Sequence, residues 1–237
     1  MATKIFLIPG FCLLLFSFRH PVAGDCEKEM NKLSSYYQQH TGAKKMYLQY
    51  AAYSVENGKE NTKLVSELWV SEKKYKYENK FVTVLQDENA QVSILNDQHL
   101  ILIKEVAKNK KEKVTLPEAN PAAQLDSLKK TASAISCDVQ NETHLLMVDL
   151  PAQINKKNNL LKRLVLSYGP SGQVKKAQYD YYKSKGSRTD FYEYLKTADT
   201  FDESVLGASA LSAVLKDGKL IAKYKNFKVK DLRNHIN

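Results

Sequence analysis

Residues that could act on a substrate are present, but their spacing matches no catalytic motif. A serine hydrolase of the nucleophile-elbow type needs Gly-x-Ser-x-Gly, and residues 206–210 (Leu-Gly-Ala-Ser-Ala) supply only one of the two glycines. The sequence contains neither HExxH nor CxxC, the usual local signs of a metal site. Its histidines are scattered: His20, His40, His99, His144 and His235. We expect no metal and no cofactor.

Three carboxylates are the remaining catalytic candidates. Asp180, Asp190 and Glu193 fall on two segments that predict neighbouring strands, so two of them could pair for acid–base chemistry. No motif surrounds them. We therefore expect that the protein is not an enzyme.

The first 24 residues have the order of a secretory signal. Met1–Lys4 is a short basic start, Ile5–Phe18 is a mostly apolar run, and Val22 and Gly24 have the spacing that signal peptidase reads. The apolar run is short for a membrane span, although an uncleaved anchor is one alternative. A lipidated N-terminus is the other, but Asp25 stands between the small residues and Cys26. We expect residues 1–24 to be a cleaved signal peptide and 25–237 to be a single exported domain.

Export decides how the cysteines are interpreted. Cys12 would leave with the signal, whereas Cys26 and Cys137 would remain. In an oxidising compartment these two can form one disulfide, which would tie the first helix to the middle of the chain. Two separate buried thiols are the alternative.

The type of basic residue argues against a nucleic-acid partner. Lys and Arg number 36 against 26 Asp and Glu, for a formal net charge of +10. Only four are arginines, which suit bidentate phosphate binding better than lysines do: Arg19, Arg163, Arg188 and Arg233. Tyrosines stripe the segments 179–182 and 192–194, where cross-strand pairing is the simplest interpretation.

The spacing of apolar residues predicts the same arrangement in both halves of the chain, a helix followed by a meander of strands. Glu27–His40 has helical periodicity, and from Lys45 to Val106 the period is two, with turn residues such as Asn57-Gly58 between six short strands. A basic, proline-containing connector (108–121) leads to a predicted helix over Ala122–Ile135. A second strand group runs from His144 to Asp231, including a hairpin around Asp217-Gly218.

The two strand groups favour one curved sheet, because no break in composition separates them. Two small α+β domains joined near residues 108–121 are the alternative. The fold class we expect is α+β, mainly antiparallel β: an incompletely closed half-barrel of about ten strands with covering helices.

One face of the predicted strands is largely apolar. A half-barrel can hold a ligand when its inner face is apolar and not filled by its own side chains. The mixture of Met, Tyr and aliphatic residues favours such a cavity, and an ordinary packed core is the alternative. The residues expected to line it are Met46, Leu48, Tyr50, Leu64, Leu68, Tyr75, Tyr77, Ile101, Ile103, Leu145 and Met147.

The segment Glu72–Glu78 resembles a motif of the LolA/LolB-like family, the periplasmic carriers of outer-membrane lipoproteins. The family segment runs proline, small, basic, aromatic, arginine, aromatic, acidic, and residues 74–78 (Lys-Tyr-Lys-Tyr-Glu) fit its last five places. Glu72 stands where proline is usual and Lys76 where arginine is usual. Asn96-Asp97 occupies the place of the family's Asp-Gly turn, without the glycine or the tryptophan that follows it.

The resemblance implies a half-barrel with a helical lid, whose apolar cavity shields acyl chains while the protein crosses the periplasm. Burying lipid methylenes gains about 0.8 kcal/mol each. The implied partners are lipid or lipoprotein acyl chains and an envelope protein. The alternative function is an exported structural or interaction module of a cell-envelope complex, with a filled core and exposed Tyr- and Lys-rich strands.

Overall fold

A computed structural model of the chain describes residues 23–41, 45–106, 125–151, 160–182 and 186–233. Residues 1–22 of the expected signal peptide and the whole 108–121 connector lie outside these ranges.

Two helices and a long series of strands make up the described chain. Helix α1 spans Ala23–Thr41 and helix α2 spans Leu125–Thr131. Short 3-10 helices cover Glu203–Leu206, Leu211–Ala213 and Ala222–Tyr224. The strands are β1 (Lys45–Glu56), β2 (Lys59–Glu60), β3 (Leu64–Ser71), β4 (Tyr75–Asn79), β5 (Val82–Gln86), β6 (Ala90–Leu95), β7 (Leu100–Glu105), β8 (Ala134–Gln140), β9 (Thr143–Asp149), β10 (Leu160–Tyr168), β11 (Val174–Tyr182), β12 (Arg188–Ala198), β13 (Leu215–Lys216), β14 (Lys219–Leu220) and β15 (Lys228–Asp231).

Thirteen of the strands form one continuous sheet. Its order is β15-β7-β6-β5-β4-β3-β1-β12-β11-β10-β9-β8, and β2 pairs with β1 at the side of this path. The central pair β1–β12 is antiparallel and joins the two strand groups, which the sequence predicted to share a sheet. β15 and β8 form the two ends of the path and do not pair with each other, so the expected fold class, an incompletely closed barrel with covering helices, is confirmed.

The two faces of the sheet carry separate cores. We call the face on which α1 packs the front face and the other the back face. On the front, Met30 and Leu33 of α1 and Leu125 of α2 pack against β8–β12. On the back, residues 201–227, the C-terminal segment, cover β5–β7 through Ala210, Val214 and Tyr224. Helices and the C-terminal segment therefore cover opposite ends of opposite faces.

Two polar anchors hold the C-terminal segment on the back face. The carboxyl of Asp87 accepts hydrogen bonds from the backbone N–H groups of Ala210 (2.7 Å), Asn89 (2.8 Å) and Ala90 (2.9 Å). Burial by itself would raise the pKa of Asp87, but these bonds and the charge of Lys74 outweigh it and keep the pKa below its usual value. Lys74 Nζ also donates to the carbonyls of Gly207 (2.9 Å) and Ala208 (2.8 Å).

Two predicted elements differ from the structure. Helix α2 ends at Thr131 rather than Ile135, because Ser133 N–H donates to the carbonyl of Asp149 and draws the chain into the sheet as β8. The hairpin around Asp217-Gly218 exists, but each strand has only two residues. The rest of that region forms 3-10 turns, whose apolar side chains join the back core.

Gly172 sets the contact between α1 and the β10–β11 hairpin. Its φ is +92°, and a Cβ there would lie 3.0 Å from both the carbonyl oxygen of Lys32 and Cβ of Tyr36. Positive φ and a close approach to backbone both disfavour a side chain. We expect Gly172→Ala to lower the free energy of unfolding in urea by about 2–3 kcal/mol.

Gly218→Ala is the matched control. Gly218 also has positive φ (+75°), but a Cβ there would meet nothing within 4 Å. This variant should cost only the backbone strain, about 1 kcal/mol. If both variants lost the same free energy of unfolding, the contact between Gly172 and α1 would not be tight.

Candidate functional site

An uncharged set of side chains lies on the front face of the central strands. Tyr194 and Ser66 flank Tyr50 across the sheet, while Leu48 is opposite Leu68, which is opposite Tyr77. We call this set the central lining. It comprises Met46, Leu48, Tyr50, Ala52, Leu64, Ser66, Leu68, Val70, Tyr75, Tyr77, Tyr192 and Tyr194.

The lining continues without charge onto the next strands. Val84 of β5 lies opposite Tyr77, and Ser93 of β6 and Leu102 of β7 extend the same row. Because successive side chains of a strand point to opposite faces, the charged residues at the centre of these strands lie on the back. They are Glu67, Lys76, Glu78 and Glu193, and Lys196 joins them because the register shift between β1 and β12 places it opposite Gln49.

The lining is only partly covered by the described chain. Leu48, Tyr50 and Leu68 are buried, whereas most other members are half-buried. Within the described residues, the apolar side chains packed on these three all belong to strands β1, β3, β4 and β12. Helix α1 packs on β8 and β9, to one side. The site is thus an apolar strand surface that can bury further apolar groups.

Aromatic rings form one wall of the lining. The ring of Tyr50 has its centroid 6.1 Å from that of Tyr192 and 6.5 Å from that of Tyr194, and Tyr179 meets Tyr192 edge-on at 5.6 Å. These separations are those of favourable aromatic pairs. The cross-strand tyrosine pairing expected from the sequence is present between β11 and β12.

The tyrosine hydroxyls of β4 are held by neutral partners. Gln91 Nε2 donates to the Tyr75 hydroxyl at 2.8 Å, and Asn79 Nδ2 donates to the Tyr77 hydroxyl at 2.7 Å. Burial raises the pKa of Tyr75, against a smaller opposite effect of Gln91. The ring therefore stays neutral at physiological pH, and the lining keeps its lack of charge.

Charged groups on the front face stand at the strand ends. Arg188 Nε and Nη2 donate to the two carboxyl oxygens of Asp190 at 2.8 and 3.0 Å, and Glu56 lies opposite Arg188 in the pairing of β1 and β12. At the other end Lys104 is opposite Gln91. An amphiphile with its apolar part on the lining would place its polar part near one of these ends.

Four residues expected in the lining belong elsewhere. Ile101 and Ile103 are fully buried in the back core beneath the C-terminal segment. Leu145 and Met147 alternate with the front-core residues Leu146 and Val148, so they lie on the back. Because their strands are apolar at nearly every position, the sequence pattern does not predict which residues face the front. The other seven expected residues do lie together on the front face.

The structure adds residues that the sequence did not single out for the lining. Tyr192 and Tyr194 come from β12, far along the chain from β1, so only the pairing of β1 with β12 places them there. Val70 and Ala52 continue the same alternation as Leu68 and Tyr50, and this signal was available in the sequence.

The candidate carboxylates are not brought together. Asp190 lies on the front face with Arg188. Asp180 lies on the back, where it accepts a hydrogen bond from Thr189 (2.8 Å), and Glu193 is bound to Tyr53, Lys63 and Lys176. Each carboxylate thus has a structural partner. In the described part of the chain no group of three metal-ligating side chains occurs.

A disulfide fixes the start of α1. Cys26 of α1 and Cys137 of β8 are bonded, with their Cα atoms 5.4 Å apart and a sequence separation of 111. One turn further, Glu29 accepts a hydrogen bond from the Tyr168 hydroxyl at 2.7 Å and lies 3.0 Å from Nδ1 of His144. His144 stacks on Tyr168, so this histidine has a structural place beside the helix.

These features define a class of protein, an open antiparallel half-barrel. A helix is held over one end of the sheet by a disulfide, and an uncharged lining lies beside that helix. Among the described helices, none is long and apolar enough to cross a membrane. No protein-family model matches the chain, and no curated protein matches its sequence.

Solved structures are similar to the chain at low TM-scores. An uncharacterised conserved protein from Thermus thermophilus has a TM-score of 0.43 at 7% identity, covering 87% of this chain and 99% of that one. A LolA superfamily protein from Nitrosomonas europaea has 0.31 at 8%, covering 76% and 96%. A putative outer membrane lipoprotein-sorting protein domain from Vibrio parahaemolyticus has 0.29 at 10%, covering 77% and 97%.

One of these structures carries the name of the family that the sequence resembles. All three TM-scores are below 0.5, so the function has to be inferred from the residues of this chain.

Proposed function

We propose that the protein is an exported, non-enzymatic carrier that binds lipid or the acyl chains of lipoproteins on the central lining and acts in the periplasm without a cofactor. The observation that carries the proposal is the absence of charge across the front face of the central strands, beside charged residues on the back of the same strands. A face built only to pack a core would be covered. Here Val70, Tyr75 and Tyr77 stay half-buried.

The energetics suit reversible binding. Burying about ten methylenes gains roughly 8 kcal/mol before the costs of association are subtracted. That gross gain would correspond to a dissociation constant of about 1 μM, and the costs of association make the net binding weaker than this. A carrier needs such an affinity, because it must also release its load.

We expect the purified chain to carry amphiphile and to bind an alkyl probe. Native mass spectrometry and solvent extraction should recover bound lipid. After delipidation, a fatty acid with a polarity-sensitive fluorophore should bind at about one per chain, with its emission shifted to the blue. The absence of both extracted amphiphile and probe binding would overturn the proposal and favour the alternative of an envelope interaction module.

A further inference from the structure

The back face of the central strands carries a regular set of lysine–aromatic pairs. The ammonium nitrogen of Lys76 lies 4.9 Å from the ring centroid of Trp69, and that of Lys196 lies 5.6 Å from that of Tyr47. Nζ of Lys176 lies 4.5 Å from the ring centroid of Phe191, and Nζ of Lys63 lies 5.3 Å from that of Tyr53. We call these four pairs, together with Val65 and Leu195, the aromatic–lysine surface.

The rings of the surface are ordered and its centre is apolar. Tyr53 stacks on Phe191 with centroids 4.8 Å apart, and Tyr47 lies 5.4 Å from Trp69. Val65, opposite Ala51 and between these two ring pairs in the register, is 46% exposed. Leu195, the residue skipped where the register of β1 and β12 shifts, is 52% exposed. Large exposed apolar side chains grouped in this way mark an interaction site more often than chance exposure.

The acidic side chains of the surface already bind tyrosine and lysine side chains of the same surface. Glu67 accepts a hydrogen bond from the Tyr47 hydroxyl at 2.5 Å, and Glu78 pairs with Lys76 at 2.6 Å. Glu193 serves both Lys63 and Lys176. Four lysines thus stand against three glutamates, on a chain whose formal net charge is +10. The surface favours an anionic partner.

The kind of cation favours lipid over protein. Arginine is enriched and lysine depleted at protein interfaces. Here all four cations are lysines, while each described arginine (Arg163, Arg188, Arg233) is tied to an aspartate outside the surface. Lysines with apolar stems, together with Trp and Tyr rings, are the groups found at the headgroup level of membranes.

We propose that the aromatic–lysine surface docks the protein on an anionic lipid membrane. Val65, Leu195 and the rings enter the headgroup region, and the four ammonium groups reach lipid phosphates. Each lysine near an anionic leaflet adds to the attraction, which salt screens. The docking surface and the central lining lie on opposite faces, so docking does not depend on the proposed carrier function.

Vesicle sedimentation tests the proposal. The protein should bind vesicles that contain phosphatidylglycerol at least tenfold more strongly than vesicles of phosphatidylcholine alone, and binding should weaken as salt rises. Val65→Asp/Leu195→Asp and Lys176→Glu/Lys196→Glu should each reduce the binding at least tenfold. Val139→Asp is the matched control, because Val139 is 56% exposed but lies on the edge strand β8. It should bind as the parent does.

Three outcomes would overturn the proposal. These are equal binding to both vesicle types, unchanged binding of both surface variants, and an equal loss with Val139→Asp. Capture of an acidic protein without vesicle binding would reassign the surface to a protein partner. Val70→Asp, a change in the central lining, separates the two functions. It should leave vesicle binding intact even if the alkyl probe no longer binds.

Discussion

Replacing Val70 by aspartate should weaken binding of the alkyl probe at least 100-fold, a loss of about 2.7 kcal/mol. Val70 lies in the central lining, opposite Met46 on one side and Tyr75 on the other. Because Val70 is half-buried, a carboxylate there can stay hydrated while the lining is empty. A bound alkyl chain would strip that water, and an unpaired charge in apolar surroundings costs several kcal/mol.

Val165→Asp is the matched control for this variant. Val165 is also a half-buried valine within a strand, but it lies on the back face, opposite Met147 and Gln178. The probe should bind this variant as it binds the parent. Circular dichroism and the urea midpoint of both variants show whether the fold is kept. Equal probe affinities of the two variants, with both folded, would exclude the central lining as the binding site.

The fold class could be predicted because local signals agree with it. Around the centre of β1 and β3, Met46, Leu48 and Leu68 alternate with Tyr47, Gln49 and Glu67, so there the period of two also indicates the front face. In β7 the run Leu100–Ile103 is apolar at every position, and β9 is similar from Leu145 to Val148. Such strands are apolar on both faces, and only the packed structure tells which side meets which core.

Long-range pairing explains the rest of what the sequence left open. The lining requires that β12 lie beside β1. The register of this strand pair shifts between Gln49 and Tyr50, and no local sequence pattern predicts that shift. The C-terminal segment has a hairpin signal, but its turns are decided by Ala210, Val214 and Tyr224 packing on the back core. The disulfide was an open alternative for the same reason, because it depends on the distance between α1 and β8.

Removing the disulfide should cause the largest loss of stability. In the loop-entropy model, a cross-link between residues 111 apart lowers the entropy of the unfolded chain by an amount equivalent to about 4–5 kcal/mol. We therefore expect Cys26→Ser/Cys137→Ser to lower the free energy of unfolding by about 4 kcal/mol, measured by urea denaturation of protein exported into an oxidising compartment. The amides of α1 should then exchange with solvent faster, because the helix start is no longer fixed.

Helix α1 should nevertheless remain on the sheet in that variant. Met30 and Leu33 stay buried in the front core, and the hydrogen bond from Tyr168 to Glu29 does not involve the cysteines. Reduced parent protein should match the double variant, while reductant should not change the variant itself, which serves as the control for effects of the reagent. A loss below about 1 kcal/mol would mean that residual contacts of the α1 segment already restrict the unfolded chain without the disulfide. That result would contradict the loop-entropy argument.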